Sequence, residues 1–288
     1  MAGAVITSPV AAQSPTPRVL HVPASARAMA LGDAAVTSTD ADALFYNPAM
    51  LATARGVAFS VQRDAARMTA GSAATLTTVG PVTIGIGAQH LEFDARDQVA
   101  LPAVIGIQPA RVSAGRSAFT IGAARGLKRA KVGIAARYVE ERLGFDREGS
   151  VTLDAGMQMP LWVGTFGVSA QHLGAPRTRL DATHAERVSI GWSAMRPVHV
   201  AWDLGAVTQV TVESDGFVRP IGALEASYVP IQGVAITARA GVRAPRVATE
   251  AALTGGVGVA IDHFLLDYAV EPRRAGAPVV HRVGVRVR

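Results

Sequence analysis

"KVGIAARYVEERL", residues 131–143, reads in twos. Val132, Ile134, Ala136 and Tyr138 fall on one face, and Gly133, Ala135, Arg137 and Glu141 on the other. A two-residue period over this length is the signature of a β-strand with two unlike faces. The same pattern recurs in "GVAITARAGVR" (233–243), where Val234, Ile236, Ala238, Ala240 and Val242 oppose Thr237, Arg239 and Arg243. It closes the chain in "HRVGVRVR" (281–288), with Val283, Val285 and Val287 opposite Arg282, Gly284 and Arg286.

Working outward from these stretches gives about fourteen alternating segments. They run over 56–63, 71–79, 81–91, 117–126, 130–142, 149–159, 162–172, 187–195, 199–208, 218–229, 233–243, 249–261, 263–272 and 279–288. Some links are tight, such as Val79-Gly80-Pro81, Gly126-Leu127-Lys128 and Pro230-Ile231-Gln232, whereas 92–116 and 173–186 are long. Short turns at one end and long loops at the other are the layout of an outer-membrane barrel. One face is small and polar (Gly85, Gly87, Gln89, Thr152, Asp154, Gly156) and the other apolar (Val82, Ile84, Ile86, Val151, Leu153). The expected fold is an all-β, antiparallel transmembrane barrel of about fourteen strands. A soluble β-sandwich would alternate too, but so long an even meander suits closure.

Composition agrees. The 288 residues are 49% hydrophobic and only 17% charged, against about 25% charged in ordinary soluble domains. No apolar run reaches the ~18 residues of a membrane helix, which leaves the closed barrel as the way to satisfy backbone groups in lipid. Cysteine is absent, so disulfides and thiolate metal sites are excluded. Net charge is +6, yet Lys and Arg form no cluster interleaved with aromatics, and nucleic acid is not an expected partner. Tyr138, Trp162, Trp192, Trp202, Tyr228, Phe264 and Tyr268 all fall on the outer face.

Residues 24–55 do not alternate. Asp40 or Asp42 can cap a short helix, and Asn47-Pro48 restarts one, with Asn as N-cap and Pro in the first turn. Such short pieces need a wall to pack against. Residues 1–23, with small apolar residues before Val10-Ala11-Ala12-Gln13, read as a signal-peptide remnant or a disordered start. The expected division is therefore 1–23, a plug over 24–55, and a barrel over 56–288.

"SARAMALGDAAVTSTDADALFYNPAMLA" (25–52) resembles the N-terminal pattern of the PorV/PorQ family, within the wider group of FadL-like outer-membrane barrels. "VSAQHLG" (168–174), "ALEASYVP" (223–230), "ARAGVR" (238–243), "LLDYAV" (265–270) and "HRVGVRVR" match later parts of that pattern in order. This chain has Asp33, Met50 and His172 where the pattern has Gly, Gly and Asn, and Arg288 where such barrels often end in an aromatic residue. The resemblance implies a fourteen-stranded barrel with the N-terminal segment folded into the lumen. Arg27, Leu31, Gly32, Asp40, Asp42, Phe45, Tyr46, Asn47, Pro48 and Leu51 would form that plug, with Phe45, Tyr46 and Leu51 against the inner wall.

No H-E-x-x-H, G-x-S-x-G or complete phosphate loop occurs, and the seven His are scattered. No catalytic residue, metal site or cofactor is expected. The inward charges are instead balanced: Asp154, Asp203, Glu225 and Asp267 against Arg137, Arg239, Arg282 and Arg286. An ion-selective pore would show one sign in excess, so a lumen network of ion pairs is expected. Within it, a closing hairpin centred near residue 275 puts Asp267 opposite Arg282 or Val283. Two functions follow from the resemblance. One is an accessory role in type IX-like secretion at the cell surface, with secretion proteins or cargo as partners and the apolar run 99–107 as a docking loop. The other is FadL-like passage of hydrophobic small molecules across the outer membrane.

Overall fold

Each alternating segment becomes one strand of wall. In the computed structural model, which describes residues 19–64, 68–94, 113–143, 146–174, 186–274 and 276–288, the strands are β1 (Val57–Asp64), β2 (Thr69–Val79), β3 (Val82–Asp94), β4 (Ser113–Leu127), β5 (Ala130–Leu143), β6 (Asp146–Pro160), β7 (Thr165–Leu173), β8 (Arg187–His199), β9 (Trp202–Glu213), β10 (Val218–Ile231), β11 (Val234–Arg243), β12 (Leu253–Ile261), β13 (Phe264–Glu271) and β14 (Val280–Val287). Neighbours in sequence pair antiparallel all the way round, and β1 pairs with β14 from Val57↔Val287 to Asp64↔Val280. The barrel is closed, so no strand edge runs the length of the sheet.

The faces fall as the alternation dictates. In β1, Ala58, Ser60, Gln62 and Asp64 are buried in the lumen, while Val57, Phe59 and Val61 point out. The outward set continues with Ile86, Phe119, Ile134, Leu153, Ile190, Leu224 and Val285, all exposed. An apolar belt of this kind around a closed barrel is a lipid-facing surface. The short turns, at 80–81, 128–129, 161–164, 200–201, 232–233 and 262–263, share one end, which is the periplasmic end by the rule for such barrels. The chain is expected to change apparent mass on a denaturing gel between unheated and boiled samples. Identical migration, with recovery as a soluble monomer without detergent, would contradict the belt.

Three strand starts lie three or four residues later than the period suggested, with β9 starting at Trp202 after the turn at 200–201. Residues 161–164 form a turn closed by the Leu161 amide on the Gly164 carbonyl, so β7 starts at Thr165. Glu250 donates its amide to Val247 in a second turn, so β12 starts at Leu253. The closing hairpin differs in register. Asp267 lies opposite Gly284 and Arg282 opposite Ala269, so the expected facing of Asp267 with Arg282 is wrong. The reason is that the ladder ends at Glu271↔Val280, so the hairpin is centred between residues 275 and 276, whereas a facing of Asp267 with Arg282 needs a centre between 274 and 275; moving the centre by one residue moves every partner by two. A shift of two keeps every side chain on its face.

Candidate functional site

The lumen holds the N-terminal segment. A short helix, α1 (Ala26–Ala30), is capped by the Ser25 hydroxyl, which accepts from the Ala28 amide at 3.1 Å. Gly32 and Asp33 then both take positive φ, 70° and 73°, which turns the chain back across the lumen. That geometry explains a Gly-Gly pattern here and makes Asp33 the strained substitute. Two 3₁₀ turns follow, Ala41–Phe45 and Pro48–Ala52. The second is capped as its Asn-Pro start dictates, with the Asn47 side chain accepting from the Ala49 amide at 3.1 Å. The first is not: Asp40 occupies the cap position without a capping bond. Its carboxylate goes to the wall instead.

Packing begins before residue 24. A 3₁₀ turn at Val19–His21 buries Val19 and Leu20 against Leu91, Phe93, Ala114, Ala118 and Val139. Residues 1–18, with the proposed cleavage region, lie outside the described residues.

Two chemistries hold the segment. On the β3–β7 side the contact is close packing onto small residues. Phe45, Leu44 and Leu51 crowd Gly87, Gly122 and Gly85. At Gly133 an added Cβ would sit 2.4 Å from the Pro48 carbonyl carbon, and at Gly156 it would sit 1.9 Å from Asn47 Oδ1. Only glycine admits backbone that close. Asn47 Nδ2 donates to the Val36 carbonyl at 2.9 Å and the Met157 carbonyl at 3.3 Å, stitching plug to plug and plug to β6. On the β9–β14 side the contact is ionic. Arg27 pairs with Glu225 at 3.3 Å and with Asp40 at 3.9 Å. Asp40 also binds Arg286 and, at 2.6 Å, Arg288. Leu31 packs on Val207, Ile221 and Ala223, with Gly32 against Ile221. Tyr46 accepts the Ala24 amide at 2.6 Å, and the Ala24 carbonyl takes Ser60, Ser72 and Arg282.

The expected lumen charges sort into two groups rather than one. Arg239 joins Glu225 to Asp267, and Asp267 continues to Arg286 at 2.5 Å. Separately, Arg137 donates to Asp154 at 2.8 Å. Two expected members drop out. Among the described residues Arg282 pairs with no acid; it binds Ser60, Gln62 and the Ala24 carbonyl, because its register faces β1 and not Asp267. Asp203 is half-buried opposite Ser227 near the short-turn end and has no ion-pair partner among the described residues. Water reaches it there, so it needs none.

Burial alone would raise the Asp40 carboxyl, but Arg286, Arg27 and Arg288 outweigh it and hold it well below the usual range. Asp42, 2% exposed, is pushed up by burial and then by the Asp40 charge. A carboxyl raised on folding contributes fully below its unfolded value of about 3.9 and loses that contribution as pH climbs through the raised value. Asp42→Asn is therefore expected to raise the unfolding midpoint by a few degrees at neutral pH. The gain should vanish in acid below about pH 3.9, where the parent is protonated too. An equal gain at both pH values would disprove the repulsion.

The wall bulges beside the plug. β6 pairs with β5 along its length and with β7 from Leu153 to Pro160, with a register shift between Leu153 and Ala155. His172 sits at that shift with φ 61°. Asn or His tolerates this conformation better than most residues. The His172 amide binds Asp154 at 2.8 Å, and Arg137 contacts His172 Nε2 at 3.0 Å. Arg137 and Gln171 both donate to the Phe45 carbonyl, at 3.4 and 2.8 Å. The sequence puts Gln171 on the polar face and His172 in the matched "VSAQHLG", but nothing in that stretch points to a plug contact.

Two cavities line the plug, of about 10 and 20 Å³. The larger lies among Tyr46, Gln171, Arg187, Gln209 and Arg219.

No family model matches the sequence, and no curated protein matches it. Solved structures do match in fold. The toluene transporter TbuX of Ralstonia pickettii superposes with a TM-score of 0.61 at 14% identity, over 94% of this chain and 100% of that one. The toluene transporter TodX of Pseudomonas putida gives 0.60 at 11% identity, over 94% and 98%. A Pseudomonas aeruginosa FadL homologue gives 0.53 at 9%, over 92% and 98%. The chain thus shares the closed-barrel fold of these transport proteins.

Proposed function

We propose that the protein passes small hydrophobic molecules across the outer membrane, and that the plug and the β6–β7 bulge are its working parts. The observation that carries this is the knot at residues 137, 154, 171 and 172. It ties the Phe45 carbonyl of the plug to the bulge between β6 and β7, so a displaced plug removes the hydrogen bonds that brace the wall at its irregular point. The fold shared with two toluene transporters supports the same reading.

The conformation described is the closed one. An apolar cavity of about 150 Å³ is needed to hold benzene, and the cavities here have room for single waters. Passage therefore requires the plug to move. The close-packed Gly face gives way without separating charges, whereas the Asp40 side must break buried ion pairs. The plug accordingly swings away from β3–β7 while it stays held at Arg286 and Arg288.

Outer-membrane vesicles carrying the protein should take up toluene faster than empty vesicles, with no rise for a sugar of similar size. Equal toluene uptake in both would overturn the transport reading. The PorV/PorQ resemblance carries a second reading, an accessory role in secretion. It stands on sequence alone, since the apolar run 99–107 lies outside the described residues.

A further inference from the structure

The β6–β7 turn is more apolar and more exposed than a solvated turn has reason to be. It reads Leu161-Trp162-Val163-Gly164, and Trp162 is fully exposed. Three of its carbonyls and one amide are nevertheless bonded. The Leu161 amide binds the Gly164 carbonyl at 3.0 Å, Trp192 Nε1 donates to the Val163 carbonyl at 2.7 Å, and Arg196 reaches the Trp162 carbonyl at 3.5 Å. A turn in water has no need of side chains on its carbonyls; a turn in lipid does. All three Trp of the chain, 162, 192 and 202, lie at this end of β6–β9, and the Trp202 and Tyr228 rings pack with centroids 5.0 Å apart, tilted by 41°. The outward residues of β6 above the turn, Val151 and Leu153, belong to the lipid-facing belt. By contrast, the short turn between β4 and β5 carries the exposed Lys128 and Arg129.

We infer that residues 161–163 insert into the interfacial region of the periplasmic leaflet, with Trp162 among the upper acyl chains. Trp is enriched at that depth, and Arg196 extends its charge outward past the apolar surface. The partner is phospholipid. The insertion pins the feet of β6 and β7, the two strands whose ladder bulges at Asp154 and His172. The inference stands apart from the transport reading, because its test uses no substrate.

The chain lacks cysteine, so single labels are free of background. Nitroxide would be placed at Trp162→Cys, at Val163→Cys and at Lys128→Cys in barrels reconstituted in phosphatidylcholine vesicles, each checked for heat-modifiable migration. The expected result is several-fold higher accessibility to oxygen, and several-fold lower accessibility to a water-soluble nickel complex, at 162 and 163 than at 128. Nickel accessibility at 162 and 163 equal to that at 128 would overturn the insertion. So would spin–spin broadening at 162 that disappears on dilution with unlabelled protein, which would make a second copy the occupant.

Discussion

Removal of residues 19–54 is expected to turn a closed barrel into a conducting one. Fourteen strands enclose more space than their own inward side chains fill, because the wall is lined where the plug lies by Gly85, Gly122, Gly133, Gly156 and Gly167. Leu44, Phe45, Pro48 and Leu51 fill that space, and nothing in the wall is large enough to replace them. The barrel should still assemble. Its ladder is continuous, and the chain of pairs from Glu225 through Arg239 and Asp267 to Arg286 lies wholly in the wall. Arg137 keeps Asp154, and Arg282 keeps Ser60 and Gln62. In planar bilayers the shortened chain should give stepwise currents that the intact chain lacks. Matching currents from both would show that the plug does not seal the lumen.

How much of this was legible beforehand follows from the physics of each part. The wall was readable because a two-residue period survives in any strand whose faces meet different media; β5 and β11 are nearly complete examples. The lumen face was readable for the same reason, and a register error of two left Asp267 and Arg282 on the correct side. Pairing was not readable. It depends on where the closing hairpin turns, and a centre one residue further along moves every partner by two. The plug's caps were half legible: Asn47-Pro48 is a local signal and held, but Asp40 obeyed distant partners, Arg286 and Arg288, some two hundred and fifty residues away. The knot at the β6–β7 bulge had no local signature at all, since His172 matters only through that bulge.

Loss of the Asp267 carboxylate should be the most damaging single change in the lumen. Its Oδ1 accepts from Arg239 Nη1 at 2.7 Å, and its Oδ2 accepts from Arg286 Nε at 2.8 Å and Nη2 at 2.5 Å. It is 3% exposed, and Gly258 leaves it room, since a Cβ there would fall 2.5 Å from Oδ1. Asp267→Ala leaves two buried guanidiniums facing each other, each with one acid left, Glu225 or Asp40. Removing one partner of a buried pair costs about 3–5 kcal/mol, far more than the ~0.2–1 kcal/mol of an exposed cross-strand pair. The loss would be read as a lowered denaturation midpoint in lipid. A loss under about 1 kcal/mol would mean that water reaches the network and the plug does not dry it. Double-mutant cycles then locate the partners. Asp267→Ala with Arg286→Met should couple by about 0.5–3 kcal/mol, because deleting the acid matters less once its cation is gone. Asp267→Ala with Arg282→Met should simply add, since Arg282 faces Ala269 and binds β1. The opposite result, coupling to Arg282 and additivity with Arg286, would move β14 by two residues against β13. Arg286 would then leave Asp267, the residue that links the wall network to the Asp40 latch.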